Sequence, residues 1–90
     1  MPYIPKADRK ILDDKIVLLK GEISLKGEFC NLGELNYVIT RLVLSMKPKS
    51  YSDYNALIGV LECVKLELYR RAVAPYEDKK KEENGDVYGG

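Results

Sequence analysis

One stretch, Tyr51 to Asp78, constrains the fold more than any other part of the chain. Its sequence, YSDYNALIGVLECVKLELYRRAVAPYED, predicts one long and unusually apolar helix over residues 52–74. Ser50 and Asp53 form a capping signature at its start. Pro75 is expected to end it, because proline lacks the amide proton and clashes with the preceding turn. If roughly 21 of these residues are helical, the helix spans about 30 Å.

The apolar arc of this helix is wider than a monomer of three helices would bury. At about 100° per residue, one line along the helix consists of Tyr54, Leu57, Ile58, Leu61, Val64, Leu68 and Ala72. A second line beside it consists of Gly59, Leu66, Tyr69 and Val73. Burial on two sides, by the rest of the chain and by another subunit, explains this arc better than exposure to water does. We therefore expect a homo-oligomer, a dimer or higher, with this helix at the interface and Gly59 at a close approach of helices.

Two shorter helices precede the long one. Asp8 is expected to cap a helix over residues 8–20, which Gly21 would stop. Asn31 and the glutamate three positions later resemble a capping box before a helix over residues 33–46. That helix has a clear apolar stripe, formed by Leu35, Val38, Ile39, Leu42, Val43 and Met46.

The segments between and beyond the helices are short. Prolines at positions 2 and 5 hold residues 1–7 as an extended arm. From Glu22 to Leu32 the pattern fits either a short hairpin or an irregular loop. At the other end, residues 76–83 are expected to form a short charged helix, with Asn84 and Gly85 as a helix C-cap or a tight turn. In the alternative, residues 79–90 are a frayed tail unless the terminal Val-Tyr pair tucks into a groove.

The predicted fold class is all-α. Ninety residues make one small domain, over residues 1–90, in the size range where a single core leaves a chain only marginally stable. We expect a small bundle of three main helices with an extended N-terminal arm and a short C-terminal helix or tail. The loop over residues 47–50 is short, so the second and third helices are expected to be antiparallel neighbours.

Composition excludes several classes of function. The 15 basic and 14 acidic side chains leave a formal net charge of +1, which argues against a general nucleic-acid binder. Cys30 and Cys63 lie far apart in a chain without histidine, so a zinc finger is excluded and two reduced thiols are expected. The start has no apolar signal sequence, and no apolar run approaches the roughly 18 to 20 residues of a spanning helix. We expect a cytoplasmic protein without a membrane partner.

The usual signs of an enzyme are missing from the sequence. There is no histidine for general base catalysis, and no G-x-S-x-G, P-loop or G-x-G-x-x-G motif. Glu62 and Glu67 lie five positions apart, about 140° around the helix, and so cannot share a metal ion. We expect a binding protein without catalytic residues, metal or cofactor.

Tyrosine and arginine supply the candidate binding residues. The chain has seven Tyr, one Phe and no Trp, and a tyrosine ring can stack on a ligand while its hydroxyl forms a hydrogen bond. Arginine pairs with phosphate through two N–H groups. The candidates are Tyr37, Arg41, Tyr69, Arg70, Arg71 and Tyr76. The competing interpretation is an ordinary solvated face, with Arg70 and Arg71 paired to Glu67 at the end of the helix.

Five blocks of sequence, occurring in order, carry a family resemblance. They are PYIPK at 2–6, GELNYVIT at 33–40, IGVLECVKLELYRR at 58–71, APYED at 74–78 and NGDVY at 84–88. Together they resemble a family of small uncharacterised proteins found in the genomes of tailed phages, including cyanophages, and of some bacteria. The resemblance implies a phage or prophage setting, and hence the cytoplasm of a host cell, but no mechanism.

Two hypotheses of function follow. In the first, an oligomer binds an anionic nucleotide at its Tyr and Arg clusters, and in a phage setting it sequesters a signalling nucleotide of host immunity without cleaving it. In the second, the chain is a protein–protein adaptor or an inhibitor of a host protein, and the same Tyr and Arg side chains dominate the affinity for that partner.

Overall fold

A computed structural model describes residues 3–23 and 31–89 of the chain. The helical elements in chain order are α1 (Lys6–Glu22), α2 (Leu32–Leu44), α3 (Tyr51–Leu68), a π-helical turn (Tyr69–Val73) and α4 (Ala74–Asn84). The last three follow one another without a break and make one helix of 34 residues. No strand occurs in the described ranges. The predicted all-α fold class is confirmed.

The chain divides into two compact units, Pro2–Tyr54 and Asn55–Gly90. The first unit contains α1, α2 and the first turn of α3. The second contains the rest of α3, the π-helical turn and α4. The prediction of one domain over residues 1–90 is not tested by this division and stays a prediction.

Helix α1 begins earlier than the sequence indicated. The residue that caps it is Pro5, with φ −54° and ψ 143°, and not Asp8. The Asp8 N–H instead donates to the Pro5 carbonyl oxygen at 2.9 Å, so that Asp8 lies inside the first turn, where the helix dipole favours a carboxylate. The predicted arm over residues 1–7 is therefore shorter, because its last two residues belong to α1.

The end of α1 also differs from the prediction. Gly21 does not stop the helix, which runs to Glu22, and the Ile23 N–H donates to the Leu19 carbonyl oxygen at 3.0 Å. A glycine costs a helix only about 1 kcal/mol. This cost is too small to end α1 at Gly21, because Ile23, two residues later, is buried. The predicted hairpin or loop from Glu22 to Leu32 falls mainly on residues 24–30, which lie outside the described residues.

The start of α2 confirms the predicted cap. The Asn31 side-chain oxygen accepts a hydrogen bond from the Glu34 N–H at 3.1 Å. The helix ends at Leu44, two residues before the predicted end. Lys47 has a left-handed φ of 54° and precedes Pro48, and a residue before proline is disfavoured from helical geometry.

The start of α3 is also capped as predicted. The Ser50 hydroxyl accepts from the Asp53 N–H at 3.2 Å, and the Asp53 carboxylate accepts from the Lys49 N–H at 3.0 Å. A Cβ atom at Gly59 would meet nothing within 4 Å in the described part of this chain. The expected close approach at Gly59 concerns a second subunit and stays a prediction.

The largest correction concerns Pro75. The helix predicted to end before this proline continues through it to Asn84. The turn Tyr69–Val73, just before the proline, is π-helical, and the Ala74 N–H donates to the Tyr69 carbonyl oxygen five residues back. Such a turn takes in one extra residue and shifts the carbonyl groups that a proline ring would otherwise meet. The helix therefore accommodates Pro75.

Helix α4 ends at the glycine that the sequence indicated. Gly85 has φ +90°, and its N–H donates to the Lys81 carbonyl oxygen at 2.9 Å, which confirms the Asn-Gly helix cap. Residues 79–84 are therefore helical and not a tail. Val87 and Tyr88, which remain 91% and 85% exposed, do not tuck into a groove.

Little of the apolar surface is covered. Among the described residues, Ile23 is the one buried apolar side chain. Both apolar lines of α3 stay largely exposed, with Val64 at 59% and Leu66 at 56%. On α1 the exposed large apolar side chains are Ile11, Leu12, Ile16, Val17, Leu18 and Leu19. No helix in the described part of the chain is long and apolar enough to cross a membrane.

Candidate functional site

The pair Tyr37 and Arg41 lies on the exposed side of α2. The two residues are one helical turn apart, and the Arg41 Nη1 group donates to the Tyr37 hydroxyl at 2.9 Å. The guanidinium carbon is 5.8 Å from the centre of the tyrosine ring, within the range of a cation–π contact. The structure thus brings together a ring and a guanidinium that the spacing in the sequence predicted to be adjacent.

An open cleft of about 360 Å³ lies beside Tyr37, between the end of α1 and the first turns of α2. Leu19 and Ile23 line one side, and Val38 lines the other together with Tyr37. A Cβ atom at Gly33, also in this cleft, would stand 3.1 Å from the capping oxygen of Asn31. Sequence reasoning missed this cleft, because Glu22 and Ile23 on its α1 side fall in the segment that was predicted to be a loop or hairpin.

In the second unit, Tyr69 begins the π-helical turn and contacts Glu77. Its hydroxyl donates to the Glu77 Oε1 atom at 2.7 Å. In a regular α-helix, residues seven apart share a face, whereas residues eight apart differ by about 80°. Because the π-helical turn takes in one extra residue, Glu77 lies where the seventh residue would lie in a regular helix. This contact depends on the turn and could not be predicted from the spacing.

The carboxylate of Glu77 shifts the pKa of the Tyr69 hydroxyl. The hydrogen bond to Glu77, together with its negative charge, raises the pKa of Tyr69 above its ordinary value of 10.0. Burial contributes little, since the Tyr69 side chain is 51% exposed. Tyr69 is therefore a neutral hydrogen-bond donor near pH 7 and does not act as a base.

Arg70 follows in the same turn and is held by Glu67. Its Nη2 atom lies 2.8 and 3.0 Å from the two carboxylate oxygens of Glu67. The arginine side chain is 66% exposed and the glutamate side chain 26% exposed. This is the pairing that the competing interpretation of the sequence described. Arg71 is the next residue of the π-helical turn and is also exposed.

Tyr76 lies on α4 beside Lys80. The Lys80 ammonium is 5.7 Å from the centre of the Tyr76 ring and 3.3 Å from the Glu83 carboxylate. One position further on, Lys81 pairs with Asp78 at 3.8 Å. The exposed ring of Tyr76 thus already has a cation of its own helix on one face.

A second open cleft, of about 460 Å³, lies between α4 and the C-terminal residues. Tyr69 and Glu77 line it from the helix, and Tyr88 lines it after the chain turns at Gly85. The Tyr88 N–H donates to the Asp86 side chain at 2.8 Å, which orders this short segment. Sequence analysis did not select Glu77 or Tyr88, although the glycine that ends the helix was a signal that the chain turns there.

The family comparison gives one match. The model described as Domain of unknown function (DUF6899) matches residues 1–87, which span both units. The chain belongs to this family. No curated protein and no solved structure was found to be similar to the chain.

The candidate residues of this DUF6899 chain fall into two groups, one in each unit. Tyr37 and Arg41 contact each other in the first unit. Tyr69, Arg70, Arg71 and Tyr76 lie in the second, where Glu77, Glu67 and Lys80 hold Tyr69, Arg70 and Tyr76 respectively. Over residues 3–23 and 31–89, no group of three or more His, Cys, Asp or Glu side chains is arranged to hold a metal ion.

Proposed function

We propose that this DUF6899 protein is a non-enzymatic, homo-oligomeric binding protein of phage type. In this proposal it sequesters an anionic nucleotide, a signal of host immunity, in the cytoplasm of the host cell without cleaving it. The observation that supports it best is the exposed π-helical turn, in which Tyr69, Arg70 and Arg71 follow one another. Turns of this kind occur frequently at functional sites.

The chemistry of these three side chains fits a nucleotide. A guanidinium presents its N–H groups in a planar fork that matches two phosphate oxygens, and two consecutive arginines double the positive charge. The neighbouring tyrosine ring offers a stacking surface for a base. A base, a sugar and a phosphate together need such a combination of ring and cation.

The exposed apolar surface supports assembly into an oligomer. A monomer rarely exposes a contiguous apolar patch of more than a few hundred Å², and a stable interface buries about 800 Å² on each partner. The exposed side chains of α3, such as Ile58, Val64 and Leu66, supply apolar area that a second copy would cover. Symmetry would then place two copies of the Tyr69–Arg71 turn in one assembly.

Two measurements test the proposal together. Size-exclusion chromatography with light scattering at micromolar protein concentration should give a dimer or a larger oligomer. Thermal unfolding with a panel of cyclic and linear nucleotides should show stabilisation that rises with ligand concentration, reaching about 2.7 kcal/mol at a hundredfold excess over the dissociation constant. A monomer that no nucleotide stabilises at millimolar concentration would overturn the proposal.

A second candidate, an adaptor or inhibitor that binds a host protein, is favoured by a different observation. The exposed apolar residues of α1 include Val17, Leu18 and Leu19 in succession, which no single amphipathic stripe contains. Such a helix fits an apolar groove on another protein. Native mass spectrometry of the protein purified from infected cells separates the two candidates, because a bound small molecule supports the first and a stoichiometric host protein supports the second.

A further inference from the structure

The guanidinium of Arg70 already binds an anion, and that anion belongs to the protein. Both oxygens of the Glu67 carboxylate lie within 3.0 Å of Arg70 Nη2. Phosphate oxygens would accept from the N–H groups of the same guanidinium. Glu67 therefore occupies a donor of Arg70 that a phosphate group of a ligand would also use.

We propose that Glu67 is an internal competitor that a ligand has to displace from Arg70. This inference rests on the proposed nucleotide-binding function and adds to it a condition on the ligand. An incoming group has to bring more negative charge than one carboxylate, which favours dianionic phosphates and diphosphates over monoanions. Glu67 thereby becomes a determinant of specificity without being part of the binding surface itself.

The exposures of the two side chains support a displacement from the solvent side. Glu67 is half-buried against the helix at 26% exposure, whereas Arg70 is 66% exposed. The guanidinium can therefore turn towards a ligand in solvent while the carboxylate stays against its helix. Ion pairs at this exposure are weak and screened by salt, so that displacing the carboxylate by a phosphate costs little free energy.

The same helix contains a matched control. Glu62 pairs with Lys65 at 2.8 Å, with the same spacing of three residues and the same distance as Glu67 and Arg70. This pair lies one and a half turns earlier and involves none of the candidate binding residues. Replacing Glu62 removes an ion pair of the same spacing, although its glutamate is more exposed, at 52% against 26%. It also removes an equal negative charge, but releases no candidate arginine.

The experiment compares Glu67→Gln with Glu62→Gln in the full-length protein. Calorimetric titrations with inorganic pyrophosphate and with ADP should show binding about two- to fivefold tighter for Glu67→Gln than for the wild type, which is the range expected on removing one exposed ion pair. Glu62→Gln should bind as the wild type does. Acetate, a monoanion, should bind detectably only to Glu67→Gln or to neither protein.

The outcomes separate this inference from the proposed function. Binding by the wild type that Glu67→Gln leaves unchanged or weakens overturns the inference alone, and an equal gain in Glu62→Gln does the same because it reports only a general change in charge. Binding of both probes by Glu67→Gln but not by the wild type supports the inference. If neither protein binds either probe, both the role of Glu67 as a competitor and the proposed nucleotide binding are contradicted. Circular dichroism and a second variant, Glu67→Ala, check that the fold is retained and that the effect follows from the lost carboxylate.

Discussion

The two Tyr-Arg regions of the molecule use the same residue types and make opposite contacts. On α2, Arg41 donates to the hydroxyl of Tyr37 and lies over its ring. In the π-helical turn, Tyr69 donates to a carboxylate and Arg70 is held by another. Tyr37 and Arg41 bind each other, whereas Tyr69 and Arg70 are each held by an acidic neighbour.

The difference comes from the helix and not from the side chains. Residues four apart in a regular α-helix are neighbours, which fixes the contact between Tyr37 and Arg41. Consecutive residues point in different directions, so that Tyr69 and Arg70 find separate partners. The extra residue of the π-helical turn then selects Glu77 as the partner of Tyr69. Of the two regions, only the second has two consecutive arginines, Arg70 and Arg71, on one exposed turn.

The strongest test of this comparison removes the cations. Replacing Arg70 and Arg71 together with alanine should weaken nucleotide binding about tenfold or more, or by about 1.4 kcal/mol, because both phosphate donors are lost. Arg41→Ala should have a smaller effect, since it removes one guanidinium and not two consecutive ones. Titration calorimetry with ADP measures both changes. Equal losses of nucleotide affinity in the two variants, at unchanged helicity, would contradict a binding site in the π-helical turn.

A second test replaces Pro75, which the π-helical turn precedes. Pro75→Ala supplies the missing N–H, and we expect a gain of about 1 kcal/mol, less than the full helical penalty of proline because the π-helical turn already takes up part of it. Urea unfolding followed by circular dichroism gives the change. Pro48→Ala, outside any helix, is the matched control and should give no gain. Lower stability in Pro75→Ala would show that the turn does not serve to accommodate the proline.

The smallest expected effect concerns pH. The pKa of Tyr69 is raised in the folded state, so its contribution to stability is complete below pH 10 and is lost as the pH rises through the folded-state pKa. Wild type should therefore lose more stability than Tyr69→Phe above pH 10, because the tyrosinate loses its hydrogen bond and is repelled by Glu77. Thermal unfolding between pH 8 and pH 11 measures this. Tyr37→Phe keeps Tyr69 and should lose stability above pH 10 as the wild type does. A loss as small as that of Tyr69→Phe would show that Tyr69 is not the cause of the pH dependence.

Local chemistry made the helix starts predictable. The side chains of Asn31 and Ser50 bind the N–H groups of residues three positions later, and each contact needs only a few consecutive residues. The cap at Gly85 has the same local origin, since glycine adopts a positive φ without steric cost. The adjacency of Tyr37 and Arg41 followed from helical spacing alone.

The predictions that Gly21 and Pro75 each end a helix were wrong. Gly21 lies one residue before the end of α1, where the cost of a glycine is only about 1 kcal/mol. Pro75 lies inside a helix that continues on both sides, and the π-helical turn before it relieves part of its cost. The contact between Tyr69 and Glu77 was missed for the same reason. It exists only because the helix continues through Pro75 with an extra residue in the turn before it.

The sequence by itself determined that the chain is all-α, where α2 and α3 begin, and that Tyr37 meets Arg41, because caps and helical spacing act within one or two turns. The structure decided that α3 continues into α4, that Tyr69 binds Glu77, and that Ile23 is buried while the apolar lines of α3 stay exposed. These features depend on the register of a long helix and on packing between segments, and neither is contained in a local pattern of residues.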